Sequence, residues 1–285
     1  MKAFNAKELE IKAFELRRVV LDMIVKAGCG HIGGDFSVMD ILVTLYLDQM
    51  NINKSNLEDP ERDYFVMSKG HSVESYYAVL AAKGFFETEK LINEFSQFGS
   101  KFIGHPNNEL PGIEMNSGSL GHGLPVCVGM ALAARMDERQ SRVYTVMGDG
   151  ELAEGSVWEG FMAAGHYGLN NLCAVVDRNH LQISGTTEQV MTHENLYTQI
   201  ESFGWNVIEV NGNSIRELHE AFESAKRECN KPTCIIANTI KGYGGGELME
   251  NKVEWHHHVP SEEEYELICK ELLRRKEMLI DEQDT

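Results

Sequence analysis

The stretch VYTVMGDGELAEGSVWEGFMAAGHYGLNNLCAVVDRNHLQISG, from Val143 to Gly185, decides the fold. A Val-rich run ends at Gly148-Asp149-Gly150, a helix-compatible segment follows, and a second apolar run ends at Asp177-Arg178-Asn179. Short apolar runs joined by a helix form a βαβ unit. In a parallel sheet the carboxyl ends of neighbouring strands share one edge, so Asp149 and Asn179 can converge on one ligand.

One carboxylate, one amide oxygen and the backbone carbonyl of Leu181 form a hard-oxygen set, suited to Mg²⁺ or Ca²⁺ bound together with phosphate oxygens. Gly148 and Gly150 allow the backbone to approach such a ligand closely. The helix that follows offers free N–H groups and its positive dipole end. Gly-Asp-Gly alone occurs in ordinary turns. With the Asn at this spacing it resembles the thiamine diphosphate motif, and the wording of 148–155 and 177–185 is similar to the transketolase family. The resemblance implies a thiamine diphosphate-binding α/β fold: a mostly parallel, doubly wound sheet flanked by helices. It also implies Mg²⁺ (or Ca²⁺) on Asp149, Asn179 and the Leu181 carbonyl, with Gly148 and Gly150 against the cofactor.

Composition bounds this reading. The chain has 285 residues, 42% apolar and 25% charged, which is globular composition with room for a large core. A net charge of −18 disfavours nucleic acid and anionic membrane as partners. An anionic cofactor therefore needs a local cation, which the metal would supply. Six cysteines without a C-x-x-C pair read as reduced, mostly buried thiols. The first residues lack an apolar leader core and no apolar run is long enough to span a bilayer, so a cytoplasmic protein is expected.

Outside the central unit, apolar spacing predicts a helix from about Ala6 to Lys26. Gly28-Cys29-Gly30-His31-Ile32-Gly33-Gly34 follows as a close-approach loop, with a helix expected from Ser37 to Leu47. His31 reads as a loop histidine made conspicuous by glycines; the resemblance instead implies a substrate-facing ring. Asp63 to Met67 is a short strand with Ser68-Lys69-Gly70-His71 at its carboxyl end and a helix over 72–83. The resemblance assigns His71 to the diphosphate, although Ser72-Val73-Glu74-Ser75 departs from the family's small, apolar wording. A short helix over 88–98 precedes a long irregular stretch, 99–117, of the kind that is functional or mobile. It carries Gly104-His105-Pro106, whose histidine the resemblance places on the donor ketose. Gly118-Ser119-Leu120-Gly121-His122-Gly123 matches a family loop that puts Gly118 and Leu120 near the cofactor rings, with His122 where glutamine is common.

Helix 124–136 contains Gly129, Ala131, Ala133 and Ala134, which suit either core packing or an interface. Glu154 falls in the first turn of the next helix, where a carboxylate favours the dipole; the resemblance suggests a carboxylate at a subunit boundary. Alternating helices (194–203, 214–228) and strands (206–210, 233–239) follow, which makes right-handed crossovers and a parallel sheet the expectation. Lys241 to Gly246 is expected to be a flexible loop. Trp255-His256-His257-His258 invites a zinc reading, but adjacent histidines point apart and lack spaced partners. The resemblance makes His256 a substrate group, with His257 replacing a usual glycine. Ser261 to Glu264 is a capping box for a final helix. The whole chain, 1–285, reads as one diphosphate-binding domain, with 1–50 and 261–285 as helical appendages and a frayed end over 281–285.

The resemblance covers nearly the whole chain but only the first segment of a full transketolase. It implies the N-terminal subunit of a split transketolase that moves a two-carbon ketol unit from a ketose phosphate to an aldose phosphate. The aminopyrimidine-binding domain would come from a C-terminal partner subunit, in an α2β2 assembly. His31, His105 and His256 would act as donors and proton carriers around the sugar, with Glu154 linking paired sites. Two other readings share the Gly-Asp-Gly to Asn unit: another thiamine diphosphate enzyme, such as a deoxyxylulose phosphate synthase, and a non-catalytic cofactor-binding subunit.

Overall fold

The computed structural model describes residues 4–193 and 195–281. The chain opens with helix α1 (Ala6–Ala27), capped by the Asn5 carboxamide on the Glu8 N–H and ended by Gly28 at φ 69°. Helix α2 (Ile32–Thr44) runs into a single π turn over 45–49. Strand β1 (Tyr64–Met67), helices α3 (Val73–Ala82) and α4 (Thr88–Glu94), and helix α5 (Gly123–Met136) precede the central unit. That unit is strand β2 (Val143–Gly148), a 3-10 turn over 150–153, helix α6 (Gly155–Tyr167) and strand β3 (Leu172–Arg178). A small antiparallel hairpin, β4 (Leu181–Gln182) with β5 (Gly185–Thr186), leads into the short helices α7 (Thr187–Val190) and α8 (Leu196–Ser202). Strand β6 (Asn206–Asn211), helix α9 (Ile215–Arg227), strand β7 (Thr233–Asn238) and helix α10 (Glu262–Asp281) complete the order.

Five parallel strands lie in the order β1-β2-β3-β7-β6, and period-2 alternation divides their side chains between two cores. Tyr144, Val146, Cys173, Val175, Ile235 and Ala237 face α1, α2, α3 and α9. Val143, Met147, Leu172, Ala174, Val176, Cys234 and Ile236 face α5, α6 and α8. This is the doubly wound architecture expected, and α1, α2 and α10 share the first of these cores. The six cysteines are all free, with Cys127, Cys173 and Cys234 buried. Among the described residues no helix is long and apolar enough to cross a membrane.

Three local expectations are corrected. Helix α2 starts at Ile32 rather than Ser37, because Gly33 is needed for close packing: a Cβ there would stand 2.5 Å from the Trp255 carbonyl oxygen. Glu154 is the N-cap of α6 rather than part of its first turn, since the 3-10 turn intervenes. Residues 241–246 are packed, not flexible: Cβ atoms on Gly242 and Gly245 would collide with Met249. The long stretch 99–117 is anchored by the Tyr77 hydroxyl donating to the His105 carbonyl (2.9 Å) and Ser117 Oγ donating to the Met67 carbonyl (2.6 Å). The capping box holds, with Ser261 N–H donating to Glu264 Oε2 (2.8 Å). The expected helix start at Glu194 and residues 282–285 of the expected frayed end lie outside the described residues.

Candidate functional site

Strands β2 and β3 are adjacent, with Gly148 opposite Asp177. Their ends therefore converge. Asp149 Oδ1 accepts from Gly150 N–H (3.0 Å) and Oδ2 from His180 N–H (2.7 Å). His180, at φ 63°, turns the chain back into the β4-β5 hairpin, so Asn179 and Leu181 face the same space as Asp149. Burial, followed by the charge of Asp177, pushes the Asp149 carboxyl above its usual range. A cation beside it would relieve both effects.

These ends border a cavity of about 300 Å³. It is lined by His31, His71, Gly118, Leu120, Gly148, Asp149, Gly150, Asn179, Leu181 and His256, all singled out in the sequence, and by Gly34, Lys69, Glu151, Gln182, Ile183 and Lys241. His105 stands just behind the lining, its ring 6.5 Å from His31 and against Gly118. Glu154 does not line the cavity; its side chain is exposed at the α6 cap.

Sequence reasoning missed two cations. Lys69 and Lys241 are each 1% exposed. Lys69 pairs with Asp177 and donates to the Gly34 carbonyl at 3.1 Å. Lys241 donates to the Leu181 carbonyl (3.2 Å) and contacts His256 Nδ1 (2.9 Å); burial, then Lys69, lowers its pKa to about 8. Two buried ammonium groups at a cavity wall favour an anionic ligand. Glu151 was also missed: buried at the wall, it accepts from Ser68 Oγ, Gly121 N–H (2.8 Å) and Gly148 N–H (3.1 Å), tying three site loops together.

The histidines form one cluster. The His31 ring lies 5.4 Å from His71, 5.8 Å from His256 and 4.7 Å from His257. Burial, then neighbouring charge, lowers His31 to about 4 and His256 to about 3 and depresses His71, while burial depresses His105. At neutral pH these rings are neutral imidazoles, each with one N–H donor and one acceptor. Among the described residues no group of three or more His, Cys, Asp or Glu side chains is arranged to hold a metal ion. Asp149, the Asn179 amide and the Leu181 carbonyl, together with ligand oxygens, could hold a cation, a donor set of the kind that suits Mg²⁺.

The family described as transketolase, thiamine diphosphate binding domain, matches residues 9–273. The chain belongs to this family. Its cofactor is thus thiamine diphosphate. An apulose-4-phosphate transketolase subunit of Phocaeicola vulgatus is 45% identical over 275 residues, covering 96% of this chain and 97% of that one. The 6-deoxy-6-sulfo-D-fructose transketolase subunit SqwG of Clostridium sp. is 40% identical over 266 residues, covering 93% and 96%. The transketolase of Campylobacter jejuni superposes with a TM-score of 0.85 at 28% identity, covering 99% of this chain and 49% of that one. The chain therefore spans about half the length of the solved transketolase and nearly the full length of the two named subunits.

Proposed function

We propose that this chain is the N-terminal subunit of a split, cytoplasmic transketolase, a single diphosphate-binding domain completed by a C-terminal partner subunit in an α2β2 assembly. The observation that carries the reading is the cavity where Asp149, Asn179 and the Leu181 carbonyl meet Lys241 and the imidazole cluster. Relatives of the same length named as subunits support the division of labour. Free thiols throughout fit a reducing compartment.

Asp149, Asn179 and the Leu181 carbonyl would hold Mg²⁺, with Gly148 and Gly150 giving the diphosphate close access and His71 and Lys241 adding donors to it. Gly118 and Leu120 border the rings. When bound, thiamine diphosphate would supply the nucleophilic carbon for two-carbon ketol transfer between a ketose phosphate and an aldose phosphate. Neutral His31, His105 and His256 donate to the sugar hydroxyls and carbonyl oxygen, and Lys241, bonded to His256 Nδ1, fixes that ring's tautomer so that Nε2 carries the proton. Glu154, outside the cavity, faces the assembly boundary.

The test mixes the chain with its C-terminal partner and measures two-carbon transfer and cofactor affinity. Asp149→Ala is expected to lower both by at least about a hundredfold, since a direct ligand counts for no less than its supporting shell. Full transfer by that variant overturns the metal assignment.

A further inference from the structure

Beneath His31, at the junction of α2 and α3, lie two acids with no contact to solvent, Asp35 and Glu74, each 0% exposed. Among the described residues neither forms a salt bridge with a base. Ser75, next to Glu74 in the chain, donates from its N–H to Asp35 Oδ1 and from Oγ to the Asp35 backbone carbonyl, each at 2.8 Å, which sets the two acids side by side. Glu74 Oε1 accepts from His31 N–H at 3.3 Å. Asp35 Oδ2 and Glu74 Oε2 are buried with no hydrogen-bond partner among the described residues.

We propose that Asp35 and Glu74 hold one proton between them at neutral pH, and that through it they act as positioning residues for His31 in the sugar site. One proton satisfies every oxygen. Glu74 Oε2–H donates to Asp35 Oδ2, Ser75 N–H covers Asp35 Oδ1, and Glu74 Oε1 is left to hold the His31 backbone. Two buried carboxylates in contact cannot both be charged, and two orphaned buried oxygens carry a desolvation penalty. Burial pushes both groups up, and the charge of Asp35 adds to the rise of Glu74. The Lys69 charge favours the charged form of Asp35, and Glu74 adds to the burial that raises the Tyr77 hydroxyl. The fit is tight, since a Cβ at Gly30 would stand 2.6 Å from Glu74 Oε1 and 2.5 Å from Ile24, which fixes the approach of residues 30–31 to the acid.

The idea rests on the proposed function for what His31 does, so its test has two readouts. In infrared spectra of the full chain at neutral pH, a protonated-carboxyl C=O band is expected in the wild type, shifted in Asp35→Asn, where its acceptor changes, and lost in Glu74→Gln; no such band in the wild type, or a band unmoved in both variants, overturns the pair. In the complex with the partner subunit, Glu74→Leu is expected to raise KM for the ketose about tenfold, on the scale of one buried hydrogen bond, with cofactor affinity unchanged. Glu74→Gln, whose amide reproduces both bonds, restores KM. Equal loss in Gln and Leu, or none in Leu, overturns the positioning role. Should Glu74→Leu not fold, the loss of the band in Glu74→Gln and its shift in Asp35→Asn decide. A wild-type complex without transfer ends the functional reading and leaves the infrared result standing.

Discussion

Burial, more than any partner, sets the charge of the imidazoles in this site. His31 falls to about 4 and His256 to about 3 from an ordinary 6.5. The sign of the consequence follows from proton counting. Between pH 6.5 and about 4 the unfolded chain takes up protons that the folded site refuses, so stability is present above 6.5 and lost as pH falls through that window. Asp35 works the opposite way: raised from 3.8 to about 7, it stabilises at low pH and loses that contribution as pH rises to about 7. Urea unfolding across pH 4 to 7 should therefore show a steeper fall with rising pH in His31→Asn/His256→Asn than in the wild type. An unchanged slope would mean that the rings titrate as exposed histidines. Asp149, Asn179 and His71 were legible in the sequence because strand ends mark a site by position, whereas His31 and His256 entered through the family resemblance and not through their glycine-rich or histidine-rich surroundings. Lys69 and Lys241 were not, because a lysine ordinarily reads as a solvated charge. Only packing shows both at 1% exposure.

At the scale of elements, most boundaries followed from local signals. Ser214 caps α9 through the Glu217 N–H, and Ile215, Leu218, Ala221, Phe222 and Ala225 repeat at helical spacing on its buried face. The failures lie where glycine serves packing rather than a turn. Helix propensity argues against Gly33 and Gly34 inside a helix, yet α2 contains them and is buried from end to end. The reason is tertiary: α2 lies directly on the 3-10 turn Val253–His257, which carries His256. Gly33→Ala forces the Trp255 backbone outward. The expected cost is about 1–3 kcal/mol of stability, as for other overpacked contacts. Because the same turn brings His256 to 5.8 Å from His31, KM for the ketose should rise as well. Gly84→Ala, with open space at its Cβ but φ 89°, is the control: it should strain the backbone without touching KM. Equal kinetic effects in both variants would remove the link between the α2 contact and the site.

For the whole molecule, the decisive feature is a surface that α5 leaves uncovered. Small residues on this helix suited both core and interface in the sequence, and the structure divides them. Ala131 and Ala134 are buried against the sheet, whereas Gly129 and Ala133 are exposed in line with Val126 and Met136. Beside them α6 exposes Met162 and Tyr167. Arg135 bridges the two helices by donating to the Tyr167 carbonyl at 2.6 Å, and exposed apolar side chains gathered in this way mark association surfaces. It lies on the same side of the sheet as the Glu154 cap, where the proposed assembly boundary falls. Ala133→Glu places a charge in the middle of this strip. As a surface change it should leave the unfolding free energy of the isolated chain within about 0.5 kcal/mol. In the mixture with the C-terminal subunit, the same variant should shift sedimentation from the assembled species to separate chains and abolish two-carbon transfer. Intact assembly in Ala133→Glu would place the partner elsewhere on the molecule, while loss of assembly with the chain still folded locates it on α5.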